Sequence, residues 1–235
     1  MTGLVYKEWK QNRWFILSMI PCGFAPLLAL LLLREQITSV DNIALRIGGL
    51  IAGFLAAGAL QLLVLRGDDR KLWGYWITAT ADGYNGFLRV KYEMIFGMIV
   101  LFLFSLQFVD MGYCAVAADM GSEDIGSISS IALLLGFMQI LFRAIDIPFT
   151  YRFGSKKGGF IKLICTVTLA ILLCVVLILN VDNMDKIMDM GKTIFIEHTS
   201  SLILSLGLVV CLGLYYLSYR ITCKLYLKGV EQYDH

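Results

Sequence analysis

Six stretches of the sequence are long and apolar enough to cross the hydrocarbon core of a bilayer, which takes about 20 helical residues. They cover residues 14–33, 43–65, 94–116, 127–147, 160–180 and 199–220. The chain of 235 residues is 58% hydrophobic and only 16% charged, which is more apolar than a soluble domain of ordinary composition. We therefore predict an all-α integral membrane protein with six transmembrane helices in a single domain over residues 1–235.

Lysine and arginine are distributed unevenly over the segments that join these stretches. If both termini lie on one side, all but four of the 20 basic residues fall on that side, the exceptions being Arg34, Arg46, Lys186 and Lys192. The positive-inside rule assigns such an excess to the cytoplasm. We therefore predict a multi-pass protein with both termini, and the segment 66–93, in the cytoplasm.

Few charged residues fall within the predicted spans. Arg46, Glu93, Asp110, Arg143 and Asp146 all lie toward span ends, where long side chains reach the interface at low cost, and we expect them there. An ion-coupled carrier normally has ionisable residues nearer the middle of its helices, and often two repeated halves. Neither pattern is visible, which disfavours ion coupling and leaves it as an alternative.

Signatures of catalysis and of metal or cofactor binding are missing from the sequence. There is no HExxH or GxSxG motif, and "GSKKGG" at 154–159 lacks the spacing of a phosphate-binding loop. The six cysteines fall mostly in apolar runs and form no CxxC pair. We expect no catalytic, cofactor or metal site on this chain, and no basic block indicates nucleic acid.

A small-residue pattern marks the second predicted span. Gly49, Gly53 and Ala57 follow each other at intervals of four, on one face of a helix. This spacing lets two helix backbones approach closely. It leaves the partner open, either another helix of the same chain or a second subunit.

Two segments outside the spans are amphipathic. Residues 3–13 place Leu4, Val5 and Trp9 on one helical face, which predicts an N-terminal helix along the inner membrane surface. In the segment 66–93, "RGDDRKLWGYWITATADGYNGFLRVKYE", an apolar stripe predicts a short helix followed by a turn at Asp82 and Gly83. The stripe consists of Leu72, Trp73, Trp76 and Ile77. It is consistent with an interfacial aromatic belt or with a helix presented to a soluble partner.

The end of this segment, "ATADGYNGFLRVKYE", resembles the loop between the second and third spans of type-2 ABC exporter permeases, where a sequence of the kind "sTPxgyxxyixxKY" recurs. Three other segments, "LVYKEWKQNRW", "IPFTYRFGSKKGGFIKLI" and "LSYRITCKLYLKGVE", are similar to further parts of that family in the same order. The nearest group comprises short permeases of Firmicute exporters, including those for phenol-soluble modulins and lantibiotics. Ala81 departs from the family, which often has proline there.

The resemblance implies a half-size permease of the bacterial cell membrane that pairs with a second copy or a sister permease. The pair would dock on two ABC ATPase subunits, which bind ATP and Mg²⁺, so this chain would hold no cofactor. The family's coupling helix corresponds to residues 72–79 here, with a second contact in the basic turn 152–157. The implied coupling residues are Leu72, Trp73, Tyr75, Trp76, Arg152, Lys156 and Lys157.

Residues 182–198 correspond to short extracellular re-entrant helices that form an outer gate before the last span in the family. The implied gate residues are Met184, Ile187, Met188 and Ile194. The expected function is the non-catalytic, membrane-spanning subunit of an ATP-driven exporter that moves apolar or amphipathic cargo, with peptide as the favoured cargo. The alternatives are an ATPase-independent immunity or anchoring protein and an ion-coupled secondary transporter.

Overall fold

The protein is all-helical wherever the structure describes it. The structure is a computed structural model that describes residues 2–33, 42–66, 76–77, 79, 82–119, 129–179 and 201–230. Its helices are α1 (Thr2–Leu17), α2 (Met19–Gly23), α3 (Ala25–Leu33), α4 (Asn42–Arg66), α5 (Gly83–Asp119), α6 (Ser129–Leu179) and α7 (Ser201–Val230). No strand occurs in these ranges.

Four helical stretches in the described ranges are long and apolar enough to span a membrane. They are Arg46–Leu65, Gly83–Ala115, Ile131–Gly154 and Leu206–Lys228. The prediction of an all-α, multi-pass membrane protein is therefore confirmed. The number of six spans stays a prediction, because the search of the described residues finds these four.

The predicted first span, residues 14–33, is helical but interrupted by two single-residue turns, at Ser18 and at Phe24. Pro21 in α2 and Pro26 in the first turn of α3 have no backbone N–H with which to close a regular helical hydrogen bond. The N–H groups of Ser18 and Phe24 still donate to carbonyl oxygens four residues earlier, at 3.0 and 3.2 Å. The helical path thus continues through both interruptions.

The N-terminal helix extends beyond its predicted end at residue 13. α1 ends only at Leu17, so the predicted interfacial segment and the start of the first span form one helix. Its apolar side chains Val5 and Trp9 are exposed, whereas Glu8 and Asn12 are buried. Glu8 and Asn12 therefore lie on the face of α1 that packs against the protein.

α5 begins well before the predicted start of the third span at residue 94. The predicted turn at Asp82 and Gly83 is confirmed: Gly83 has a φ of 59°, and the N–H of Gly86 donates to the Asp82 carbonyl oxygen at 3.1 Å. The charged residues after this turn are helical. Arg89 and Glu93 support the helix through an ion pair of 2.8 Å at i, i+4 spacing.

The basic turn predicted at residues 152–157 is reduced to a single break. α6 continues on both sides of Gly154, where the backbone departs from helical geometry with a φ of 77° and a ψ of 164°. Glycine adopts this conformation without the steric cost that a Cβ would impose. Lys156 and Lys157 thus belong to the helix that follows the break.

The chain divides into two compact units. The first comprises Met1–Asp68 and Leu72–Ile140, and the second comprises Asp69–Lys71 and Leu141–His235. The core of the first unit draws on α1, α2, α4, α5 and the start of α6. It contains Ile16, Met19, Leu50, Ala57, Val64, Met98, Phe102, Leu106 and Ala132. The single domain predicted over residues 1–235 stays a prediction.

Candidate functional site

The predicted coupling helix lies in the segment 67–82, between the end of α4 at Arg66 and the start of α5 at Gly83. These two helix ends are its neighbours in the sequence. We call them the loop-side ends. Of the coupling residues in this segment, Leu72, Trp73 and Tyr75 lie outside the described residues. Trp76 is 56% exposed, and its carbonyl oxygen accepts a hydrogen bond of 3.2 Å from the N–H of Ala79.

A buried polar cluster connects the loop-side ends to the N-terminal helix. Lys91 of α5 is 0% exposed, and its Nζ donates to Glu8 Oε2 of α1 at 2.7 Å. The same Nζ makes a longer hydrogen bond of 3.4 Å to the carbonyl oxygen of Val64, near the end of α4. Glu8, Lys91 and their partners Lys7, Asn12 and Val64 form what we call the loop-side cluster. Its members come from three helices.

The carboxylate of Glu8 is the centre of this cluster. Besides Lys91, it accepts hydrogen bonds from Lys7 Nζ at Oε1 and from Asn12 Nδ2 at Oε2, the latter at 3.0 Å. Burial by itself raises the pKa of Glu8, but the charges and hydrogen bonds of Lys91 and Lys7 outweigh burial, and the net pKa lies below its ordinary value. Glu8 is therefore held as a carboxylate at neutral pH.

The opposite face of α1 is exposed and rich in aromatic side chains. Trp14 is 70% exposed, and the Arg13 guanidinium lies 5.3 Å from the centre of its ring. Lys10 Nζ lies 6.0 Å from the centre of the Tyr6 ring. Aromatic rings beside basic groups are typical of helices that lie at a membrane interface.

A second buried ion pair lies near the other end of α5. Arg46 Nη2 of α4 donates to Asp110 Oδ1, and both side chains are almost fully buried. The guanidinium also lies 4.4 Å from the centre of the Tyr113 ring, within the range of a cation–π interaction. We call Arg46 and Asp110 the far-end pair. A small cavity beside it, lined also by Pro26 and Leu106, has room for about one water molecule.

Between these two ion pairs, an amide pair connects α4 to α6 within the first unit. Gln61 Nε2 donates to Gln139 Oε1 at 3.1 Å, and Gln139 Nε2 donates to the Phe54 carbonyl oxygen at 3.2 Å. Both glutamine side chains are buried. Because an unpaired amide in an apolar interior is costly, these bonds favour one register of the two helices.

The second unit contains its own buried charges. Arg143 Nη1 lies 2.8 Å from Asp146 Oδ2 on the same helix, and both residues are buried. Ser218 of α7 donates to the carbonyl oxygen of Ala144, which joins α7 to α6 at this level. That Arg46, Asp110, Arg143 and Asp146 lie at or near the membrane interface stays a prediction, and the structure adds that their side chains are buried in two ion pairs. They are paired inside the protein, because an ion pair avoids the cost of an isolated charge.

The predicted second coupling contact is only partly described. Arg152 is half-buried, with its guanidinium 5.8 Å from the centre of the Phe153 ring. Lys157 is exposed, and the side chain of Lys156 lies outside the described part. Near this level of the second unit, the buried rings of Tyr151 and Tyr226 meet edge to face at 5.6 Å.

The small residues of α4 face the first predicted span of the same chain. An ideal Cβ at Gly53 would lie 2.4 Å from the carbonyl oxygen of Cys22, and one at Gly49 would lie 2.7 Å from that of Ala25. Ala57, on the same face, is fully buried. The missing side chains let α4 approach the backbone of α2 and α3.

The structure gives no positions for the predicted extracellular gate. The gate residues Met184, Ile187, Met188 and Ile194 lie outside the described residues. Within the described ranges, no three His, Cys, Asp or Glu side chains group as metal ligands, and Cys22, Cys114, Cys211 and Cys223 are free thiols.

The loop-side cluster is the feature that sequence reasoning missed. Glu8 and Lys91 are separated by 83 positions, so no local pattern connects them. One signal was present, because both lie in segments that carry the family resemblance, "LVYKEWKQNRW" and "ATADGYNGFLRVKYE". Opposite charges in two such segments are candidates for a buried pair.

Comparison with known protein families gives a match. The family model described as ABC-2 family transporter protein matches residues 90–227, which is more than half of the chain. The match includes Lys91 and most of α5, α6 and α7, and it begins after the predicted coupling helix. No curated protein and no solved structure matches the chain.

Proposed function

The chain belongs to the ABC-2 family of transporter proteins, and we propose that it is the membrane-spanning permease subunit of an ATP-driven exporter. The family match over residues 90–227 is the observation that carries this proposal. In the proposal, the chain has both termini in the cytoplasm of a bacterial cell and six spans. ATP and Mg²⁺ bind to a partner ATPase, so the chain itself is not an enzyme and holds no cofactor.

The proposed transport unit contains two permeases and two ATPase subunits. The second permease is another copy of this chain or a sister protein. Closure of the ATPase subunits on ATP moves the coupling helices, and the permease pair opens outward to release its cargo. Apolar helices suit an apolar or amphipathic cargo, and we propose a peptide, as in the exporters of modulins and lantibiotics that the sequence resembles.

The proposed coupling surface is the segment with Leu72, Trp73, Tyr75 and Trp76. The exposed ring of Trp76 supports this assignment, because large aromatic residues at the centre of an interface contribute much of its binding energy. The second surface contains Arg152, Lys156 and Lys157, of which Lys157 is exposed. The gate residues Met184, Ile187, Met188 and Ile194 belong to the outer side of the proposal.

The test uses the full-length protein purified with its ATPase subunit and reconstituted in lipid vesicles. We expect replacement of both Trp73 and Trp76 by Ala to weaken the complex by about tenfold or more, as loss of a central aromatic contact does. Vesicle-bound ATP hydrolysis should fall in parallel. The measurements are the dissociation constant of the complex and the rate of ATP hydrolysis.

Trp14→Ala is the matched control, because Trp14 is also an exposed tryptophan but lies on α1. It should leave the complex intact. If the double Trp73 and Trp76 variant retains both complex formation and ATP hydrolysis, the coupling assignment is wrong. If no ABC ATPase associates with the wild-type chain, the exporter proposal itself fails and the anchoring or immunity alternative gains support.

An ion-coupled carrier would behave differently in the same vesicles. Its transport would survive ATP depletion and would stop when Asp110 or Asp146 is neutralised. The structure pairs each of these acids with an arginine.

A further inference from the structure

We infer that Lys91 is a positioning residue that transmits movement of the loop-side ends of α4 and α5 to the N-terminal helix α1. The inference rests on the proposed function, since the movement is the one that ATP would cause. It assigns a role in transport to Glu8 and Lys91, the buried ion pair of the loop-side cluster.

The geometry brings three helices to one ammonium group. Lys91 Nζ reaches Glu8 of α1 at 2.7 Å and the Val64 carbonyl oxygen of α4 at 3.4 Å. Val64 lies two positions before the end of α4, and Lys91 lies about 12 Å along α5 from its start. The contact therefore lies near the loop-side ends of α4 and α5, the two helices that flank the proposed coupling segment in the sequence.

The burial of the pair makes the connection stiff. Lys91 and Glu8 are 0% and 1% exposed, so water cannot replace either partner when the helices move. Separation of the charges would leave the buried Lys91 ammonium without its carboxylate partner, which is costly. When α5 is displaced at this level, α1 therefore moves with it, because breaking the ion pair would cost more free energy.

The rest of the cluster holds Glu8 in place for this role. Asn12 Nδ2 donates both to Glu8 Oε2 and to the Glu8 carbonyl oxygen, at 3.0 and 3.1 Å. Lys7 donates to the other carboxylate oxygen, and its Nζ lies 5.7 Å from the centre of the Phe87 ring of α5. The carboxylate is thus fixed on α1, and Lys91 is its fully buried basic partner from α5.

Helix α1 is suited to receive such a movement. Its other face carries Val5, Trp9 and Trp14, which are exposed in the described structure. A shift of α1 would therefore change the position of an aromatic surface. Coupling of this kind requires an element with two positions that nucleotide binding favours differently.

The experiment is hydrogen exchange of the complete permease and ATPase complex in lipid nanodiscs. Exchange is compared between the nucleotide-free complex and the complex trapped with ATP and vanadate. In the wild type, we expect nucleotide-dependent changes both in the first turns of α5 and in residues 2–17 of α1. In Lys91→Met, the change in α1 should fall about fivefold or more, the lower range of ordinary coupling between sites. The change in α5 should persist.

Lys91→Arg and Glu8→Gln extend the test. Arginine keeps the charge and the hydrogen bonds, so Lys91→Arg should recover most of the α1 response. Glu8→Gln removes the charge of the other partner and should also reduce the α1 response to nucleotide. This variant keeps the inference testable if Lys91→Met does not fold. Arg89→Met is the matched control, because Arg89 lies on the same helix in an exposed ion pair with Glu93.

The outcomes separate the two proposals. If the wild-type complex responds to nucleotide in α5 but Lys91→Met retains the full response of α1, the inference is overturned and the exporter proposal stands. A purely structural role of Lys91 would give this result, with faster exchange of α1 in both states and an unchanged difference between them. If the wild type forms no ATPase complex, or α5 does not respond to nucleotide, the exporter proposal fails and the inference fails with it.

Discussion

Helix α5 carries a buried ion pair near each of its ends, and the two pairs are built differently. At the loop-side end, the cation Lys91 belongs to α5 and the acid Glu8 to α1. At the far end, the acid Asp110 belongs to α5 and the cation Arg46 to α4. The loop-side carboxylate is surrounded by amide and ammonium donors, whereas the far-end guanidinium lies against the ring of Tyr113.

The distance between the two ion pairs along α5 is close to the thickness of the hydrocarbon core of a bilayer. Lys91 and Asp110 are about 28 Å apart along the helix axis at 1.5 Å per residue, close to the ~30 Å thickness of a hydrocarbon core. Each pair can therefore lie near one membrane interface, where the cost of charge is lower than at the centre. The far-end pair clamps α4 to α5, and the loop-side pair adds the N-terminal helix.

Asp110→Asn should give the largest loss of stability, because it breaks the far-end pair and leaves Arg46 charged and buried. Arginine keeps its proton in proteins, so the buried charge remains when its partner is removed. We expect a cost of about 3–5 kcal/mol, measured as a lower midpoint of thermal unfolding in detergent micelles. The double variant Arg46→Met with Asp110→Leu removes both charges and should recover most of this loss. An unchanged midpoint for Asp110→Asn would show that Arg46 is solvated.

Glu8→Gln should have a smaller effect at the loop-side end. The amide oxygen still accepts from Asn12, and a buried lysine can release its proton, so we expect a loss of about 1.5–3 kcal/mol near neutral pH. The variant should also change the pH dependence of unfolding. Because the folded pKa of Glu8 lies below its ordinary value of 4.5, the unfolded chain binds the proton more readily.

The sign of this pH dependence follows directly. The stabilisation by Glu8 is fully present above pH 4.5 and is lost as the pH falls through the lowered pKa of the folded state. Unfolding midpoints measured from pH 7 down to about pH 3 should therefore converge for the wild type and Glu8→Gln. A constant difference between the two proteins over that range would contradict a charged Glu8 at the centre of the cluster.

The contrast between the two ends also shows what the sequence could predict. The long apolar runs predict the helices, since a backbone in lipid must satisfy its own hydrogen bonds. α4 occupies Asn42–Arg66 where residues 43–65 were predicted. The positions of Arg46 and Asp110 near span ends were visible as well. Their pairing was not, because hydropathy measures depth along a helix and contains no information about which helix lies opposite.

The helix boundaries failed for identifiable local reasons. The third span was predicted from residue 94, yet i, i+4 pairing and the burial of Lys91 support the charged run after Gly83 as the first part of α5. Gly154 alone separates the two parts of α6, so a glycine-rich basic run was interpreted as a longer turn than it forms. The small residues of α4 predicted a close contact but left its partner open, and the approach of Gly53 to Cys22 emerges only from the fold.

Arg89→Met should give the smallest effect, and it isolates the role of burial in the comparison. Arg89 and Glu93 form an ion pair at 2.8 Å, nearly the same length as that of Lys91 and Glu8, but both side chains are 58% exposed. Water stabilises each charge separately, so loss of the pair should cost at most about 0.5 kcal/mol. Thermal unfolding of Arg89→Met and Glu93→Gln beside Glu8→Gln compares an exposed ion pair within α5 with a buried ion pair between α5 and α1. A loss of stability for Arg89→Met as large as that for Glu8→Gln would contradict this expectation. It would mean that charge on this part of α5 determines stability whether or not the charge is buried. The distinction between the loop-side cluster and the helix surface would then fail.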